Sequence, residues 1–189
     1  MVVGSNPSWL TRGALEELLV RSVTWTGVAA ATGGLLFAGF WIGSLVKVEI
    51  VPWPVALLWH GIATFLLAIG AAGIHRSAPG SSIQTTLGWL GVALVVIGQL
   101  VSLEITMLGS LIFGAAAVMS GRRARWGGAL LALGAAAFLG VTAVNGRFWG
   151  EPNPSPSLVP ALTFGAALLL IALGWIALGV IRRDEPMSL

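Results

Sequence analysis

The residues in this chain that could do chemistry are few, and most are polar groups set in long apolar stretches. His60, Thr64, Gln99 and Glu104 are the candidates for a ligand-binding site. His60 and Thr64 are spaced four apart, so on a helix they share one face. Imidazole, hydroxyl and amide groups together offer donors and acceptors to a small polar ligand. Glu104 adds a carboxyl that could act as acid or base beside His60. Nothing in the spacing makes that pairing specific. The residues fit separate interfacial groups, each satisfied by water, headgroups or a neighbouring helix, better than one converged pocket.

Other chemistries are excluded more firmly. The chain has no cysteine, so it carries no disulfide, thiolate nucleophile or cysteine metal site. Its two histidines, His60 and His75, lie on one stretch about 22 Å apart along a helix, too far to share a haem within one subunit. There is no HExxH and no Walker A pattern. Ser110 sits in mid-stretch, where a serine hydrogen-bonds within its helix more often than it acts as a nucleophile. The single lysine, Lys47, lies at the end of an apolar stretch, so a retinal Schiff base buried in mid-bundle has no candidate. No Asp, Glu, Lys or Arg falls well inside any stretch, which argues against a proton-coupled pump or a voltage sensor. We therefore assign no catalytic residue, metal ligand or cofactor, and an intramembrane enzyme ranks last among the functional readings.

The elements that must position these groups are apolar helices. Hydrophobic residues make up 57% of 189 positions and charged ones 9%, with a mean hydropathy of +0.93. A soluble domain of this composition would expose large apolar patches, and a bilayer is the solvent that fits. The net charge of +3 does not indicate nucleic acid, because the basic residues lie in short clusters between apolar runs. The expected fold is all-α, a single polytopic bundle with six transmembrane helices near 22–46, 54–74, 85–103, 105–120, 126–145 and 158–181.

The third and fourth stretches abut at Glu104 and could instead form one helix, giving five spans. Loop arginines separate the two plans. With six spans, Arg12, Arg21, Arg76, Arg122, Arg123, Arg125, Arg182 and Arg183 lie inside, and Lys47 and Arg147 outside. With five, Arg12, Arg21, Arg76 and Arg147 lie inside and the other six outside. A single helix across 85–120 would also be about 54 Å long. Six spans with both termini cytoplasmic is the better plan, with a tight turn near Glu104. Trp25, Trp89, Trp126 and Trp175 would then form an inner interfacial belt, and Trp41, Trp53, Trp59 and Trp149 an outer one. His60, Gln99, Glu104, Asn145 and Arg147 all fall in the outer third.

Residues 7–21 carry Trp9, Leu10, Ala14, Leu15, Leu18 and Leu19 at helical spacing, with Arg12, Glu16, Glu17 and Arg21 between them. They predict either a short amphipathic helix on the membrane surface or an extension of the first span. Residues 150–157 read as an outer loop and 77–82 as an inner one. No cleavable signal peptide is evident at the start. Trp25, Trp89 and Trp126 each open a span and are each followed by a later glycine, Gly33, Gly98 and Gly134. That spacing raises a three-hairpin repeat, although any bundle of this topology reuses such residues.

The 26 glycines and many alanines indicate close helix packing. Gly39 and Gly43 form a GxxxG pair, and Gly127, Gly128, Ala132, Ala135 and Ala136 line one span. Such faces serve either the bundle itself or association with other membrane subunits or a second copy. Two functions follow: an accessory or scaffold subunit of a membrane complex, or a small-solute transporter or channel, or its substrate-binding component. The plan of six spans in 189 residues is similar to that of the substrate-capture subunits of energy-coupling-factor transporters. The run Ala29–Ala31 with Gly33 and Gly34 is loosely similar to their coupling face, with no accompanying substrate motif. The compact loops suggest a prokaryotic inner membrane.

Overall fold

The structure is a computed structural model that describes residues 12–45, 52–76, 80–120, 122–145 and 158–180. Lys47, Arg147, Trp149, Arg182, Arg183 and the loop at 150–157 lie outside the described residues. Six helices account for nearly all of what is described: α1 (Arg12–Leu45), α2 (Trp53–Arg76), α3 (Ser82–Val101), α4 (Leu103–Met119), α5 (Arg122–Asn145) and α6 (Leu158–Val180). No strand occurs among the described residues. Five of the helices contain stretches long and apolar enough to cross a membrane, and α4, at 17 residues, is a shorter apolar helix. The outer surface suits that solvent. Leu35, Phe65, Ile97, Leu100, Leu133, Leu169 and many other large apolar side chains are exposed around the bundle.

Residues 82–119 form two helices, not one. The backbone reverses through the single residue Ser102, which is extended at φ −164° and ψ 153°. Its N–H donates to the Gly98 carbonyl at 2.8 Å and closes α3. Its Oγ accepts from the Ile105 N–H at 3.4 Å and opens α4. One serine thus caps both helices, which stabilises a break that hydropathy does not reveal. The turn lies two residues before the expected position at Glu104. Ser81 likewise caps α3, accepting from the Gln84 N–H at 3.3 Å, so α3 begins before the expected Thr85.

Two further expectations are corrected. Residues 12–21 are not a separate short helix; they continue without a break into α1, which at 34 residues is about 51 Å long. Ala, Leu, Glu and Arg dominate that stretch, and these residues propagate a helix. Trp175 is not an interfacial belt residue. It is 1% exposed and stacks on Phe113, with ring centroids 5.3 Å apart. The room for its indole comes from Gly34, where a Cβ would lie 2.7 Å from the Trp175 Cβ. Trp25, Trp89 and Trp126 are exposed, as an interface requires.

The six helices form a closed antiparallel ring. Each packs against its neighbours in the chain, and α1 closes onto α6. The interior is filled by side chains from every helix, including Phe37, Leu67, Val92, Met107, Phe138 and Phe164. Small residues set the spacing. Within α1–α2, Gly33 meets Ala63 and Leu67, and Gly70 meets Ala30. Within α3–α4, Gly98 meets Thr106 and Gly109 meets Val95. Within α5–α6, Gly134 meets Ala167 and Ile171, and Gly174 meets Leu131. Between these hairpins, Gly114 faces Gly128 across α4–α5 and Gly27 faces Gly179 across α1–α6. The remaining seam, α2–α3, is the sparsest in the ring. There the glycine, Gly88, accommodates the His75 ring rather than a backbone.

The GxxxG pair and the small residues of the fifth span are therefore used inside the chain to a large extent. Gly39 receives the Trp59 ring, Gly127 the Leu178 side chain, and Ala135 is fully buried. A Cβ at Gly114 would lie 2.7 Å from the Gly128 carbonyl oxygen, whereas one at Gly140 meets nothing within 4 Å. Gly114→Val should therefore lower stability by about 2 kcal/mol or more through overpacking, and Gly140→Ala should leave it unchanged. Thermal unfolding in detergent, followed by tryptophan fluorescence, compares the two.

Candidate functional site

His60 stands two turns into α2, at the end of the bundle that also holds the last turn of α3 and the first of α4. Three aromatic rings of α1 surround its imidazole: Phe40 at 4.9 Å, Trp41 at 5.7 Å and edge-on, and Phe37 at 5.9 Å. Phe37, Phe40 and Trp41 follow i, i+3, i+4 spacing, which places them on one face of α1. Trp59 ties the same region together, its indole Nε1 donating to the Leu36 carbonyl at 2.9 Å. Trp41 and Trp59 are both partly buried in this contact. They join α1 to α2 rather than form a free outer belt.

Gln99 approaches the imidazole from α3 as its polar side-chain neighbour. His60 Nδ1 and Gln99 Nε2 are buried and have no partner. Of the remaining polar atoms, His60 Nε2 and Gln99 Oε1 are suited to that contact as donor and acceptor. In the matching tautomer Nδ1 keeps an unused lone pair and Gln99 an unused NH2 group. Buried, unsatisfied nitrogens are costly, at about 1–3 kcal/mol each. This is where the described residues depart furthest from full hydrogen bonding.

The other candidates contribute differently. The Thr64 hydroxyl donates to the His60 carbonyl at 2.9 Å, within its own helix. It steadies α2 one turn along and leaves the imidazole free of it. Glu104 is partly buried in the first turn of α4, where a carboxylate favours the helix dipole. Among the described residues no hydrogen bond or ion pair joins His60 to Glu104 or to Ser110. The side chain of Asn145 lies outside the described residues. His75 sits at the far end of α2, edge-on to Trp89 at 5.1 Å.

The arrangement suits binding better than proton transfer. A general base needs a reacting group within hydrogen-bond reach and an orienting partner. His60 has the second, in Gln99, and lacks the first. Among the described residues no group of three His, Asp or Glu could hold a metal ion. The aromatic face on α1 was readable from its spacing, but its meeting with Gln99 depends on how α2 and α3 pair.

The unpaired nitrogens give a direct test. Gln99→Leu alone leaves the imidazole N–H unsatisfied and should cost about 1–3 kcal/mol. The double variant His60→Phe with Gln99→Leu removes the whole network and should be at least as stable as the parent. A double-mutant cycle on thermal stability reads the difference. No family model, curated protein or solved structure matches this chain.

Proposed function

We propose that this protein is a non-enzymatic accessory or scaffold subunit of a membrane complex, crossing the bilayer six times as three hairpins of one repeated plan. The observation that carries this reading is the filled interior. Apolar side chains from all six helices meet there, and the buried polar residues, His75, Gln84, Thr106, Ser110 and Thr142, carry no carboxylate, lysine or arginine. A conduit for ions or polar solutes needs water or paired charge along its axis. The equivalent glycine contacts within the three hairpins support the repeat. Arg76 and Arg125 are exposed at the same end of the bundle as the exposed Trp25, Trp89 and Trp126. This supports placing that end, with both termini, at the cytoplasmic face of a prokaryotic inner membrane.

A partner has a surface to use. Ala136, Gly140 and Ala143 point outward along α5, and small residues allow close approach of another helix in lipid. Purification in mild detergent should yield the chain with a second membrane protein in fixed ratio. Gly140→Leu should release that protein without lowering the chain's own melting temperature. An unaccompanied monomer with the same profile as Gly140→Leu contradicts the proposal.

A second reading is favoured by one observation, the incomplete His60–Gln99 pair among aromatic rings. It makes the chain a ligand-binding membrane component, with that pair as the polar end of its site.

A further inference from the structure

We propose that the outer half of the α4–α5 seam is a groove for one transmembrane helix of a partner subunit, and that this helix carries a lysine or arginine near its outer end to pair with Glu104. The inference rests on the scaffold reading and names the chemistry of its partner. The groove begins where backbone contact stops. Gly114 and Gly128 close the inner half of the seam, with Ala132 beside them. From Gly128, steps of four residues run through Ala132 to Ala136 and Gly140. Such a row is inclined to the helix axis, so it leaves the α4 contact and comes out on the surface of the bundle. Ala136 and Gly140 are exposed, and a Cβ at Gly140 would meet nothing within 4 Å. On α4, Glu104, Leu108 and Ala115 share the adjoining outward face at helical spacing. Leu108 and Ala115 are exposed there and Glu104 is partly so.

Glu104 sets the partner's chemistry. The two helices run antiparallel, so counting outward from the contact of Gly114 with Gly128 and Ala132 brings Glu104 to the depth of Gly140. Beyond that level α5 continues for about 8 Å to Asn145. The carboxyl therefore stands beside the smallest residue of the groove and below the rim of the bundle. Among the described residues no ion pair reaches it. The basic residues of α5, Arg122, Arg123 and Arg125, lie at its inner end, and α4 has none. A carboxylate at this depth is costly without a cation, and a groove of small residues lets a helix bring one close. A second copy of this chain does not fit. Two copies in one bilayer share an orientation, and grooves facing across a two-fold axis would set Glu104 against Glu104 at equal depth. A basic partner helix replaces that repulsion with attraction.

The test uses three synthetic leucine–alanine transmembrane peptides, identical except for one arginine, glutamine or glutamate near one end. Binding in phosphatidylcholine vesicles is read by energy transfer between a dye on each peptide and a dye on Ser120→Cys of the full chain. The melting temperature of each variant shows that it folds. The expected result is that the parent binds the arginine peptide about tenfold more tightly than the glutamine peptide. Glu104→Gln should abolish that preference, Glu104→Lys should transfer it to the glutamate peptide, and Gly140→Leu should weaken all three. Equal binding of the arginine and glutamine peptides by the parent, or a preference retained in Glu104→Gln, would overturn the proposal. A preference that appears only after Arg147→Gln would pair Glu104 within its own chain and overturn it as well. Each of these failures leaves the scaffold reading in place if Gly140→Leu still releases a co-purified membrane protein. Absence of any such protein removes that reading and the proposal with it.

Discussion

Helices in a bilayer gain nothing by hiding apolar surface from one another, because the lipid is as apolar as they are. What holds them is close van der Waals contact, and that requires small residues wherever two backbones meet. The rest of this structure depends on that constraint. Gly27 against Gly179 closes the ring, Gly114 against Gly128 joins two hairpins, and the late glycine of each odd-numbered helix seats its partner. With the backbones this near, large side chains can interlock at the centre. Phe37, Met107, Phe138, Phe164 and Trp175 are all within 2% of complete burial. The interior is thus apolar and full.

The α2–α3 seam departs from this rule. Its glycine holds a histidine ring, and at its other end His60 meets Gln99. Histidines therefore stand at both ends of the one seam that backbone contact does not close. The arrangement trades packing for polarity, and in doing so leaves two nitrogens without partners. A network satisfied in part is less stable than either a complete one or an apolar replacement. That imbalance distinguishes the seam from the rest of the ring and makes it the place where function is to be sought.

Much of the architecture was legible in the sequence because membrane helices announce themselves by length and hydropathy. The positions of α2, α5 and α6 follow directly from apolar runs bounded by proline, arginine and glycine. The break between α3 and α4 was legible only as a need, from helix length and loop arginines. Its location was not, since it rests on the dual capping by Ser102, a local hydrogen-bonding device that hydropathy averages away. Trp175 was misplaced for a related reason. An indole near a helix end suits an interface, and only the gap at Gly34 on another helix shows that it belongs inside. His60 and Gln99 were recognisable as unusual residues, whereas their meeting depends on the pairing of α2 with α3. Glu104 shared their depth without sharing their contact.

The proposed six-span plan makes α3 and α4 two separate crossings. The absence of native cysteine allows it to be tested directly. Single cysteines at Ser81, Val101 and Ser120, in intact vesicles of known orientation, can be probed with a membrane-impermeant maleimide. The account predicts that Ser81→Cys and Ser120→Cys react from one side and Val101→Cys from the other. Labelling of Ser81→Cys and Ser120→Cys from opposite sides, or of all three from one side, would contradict it.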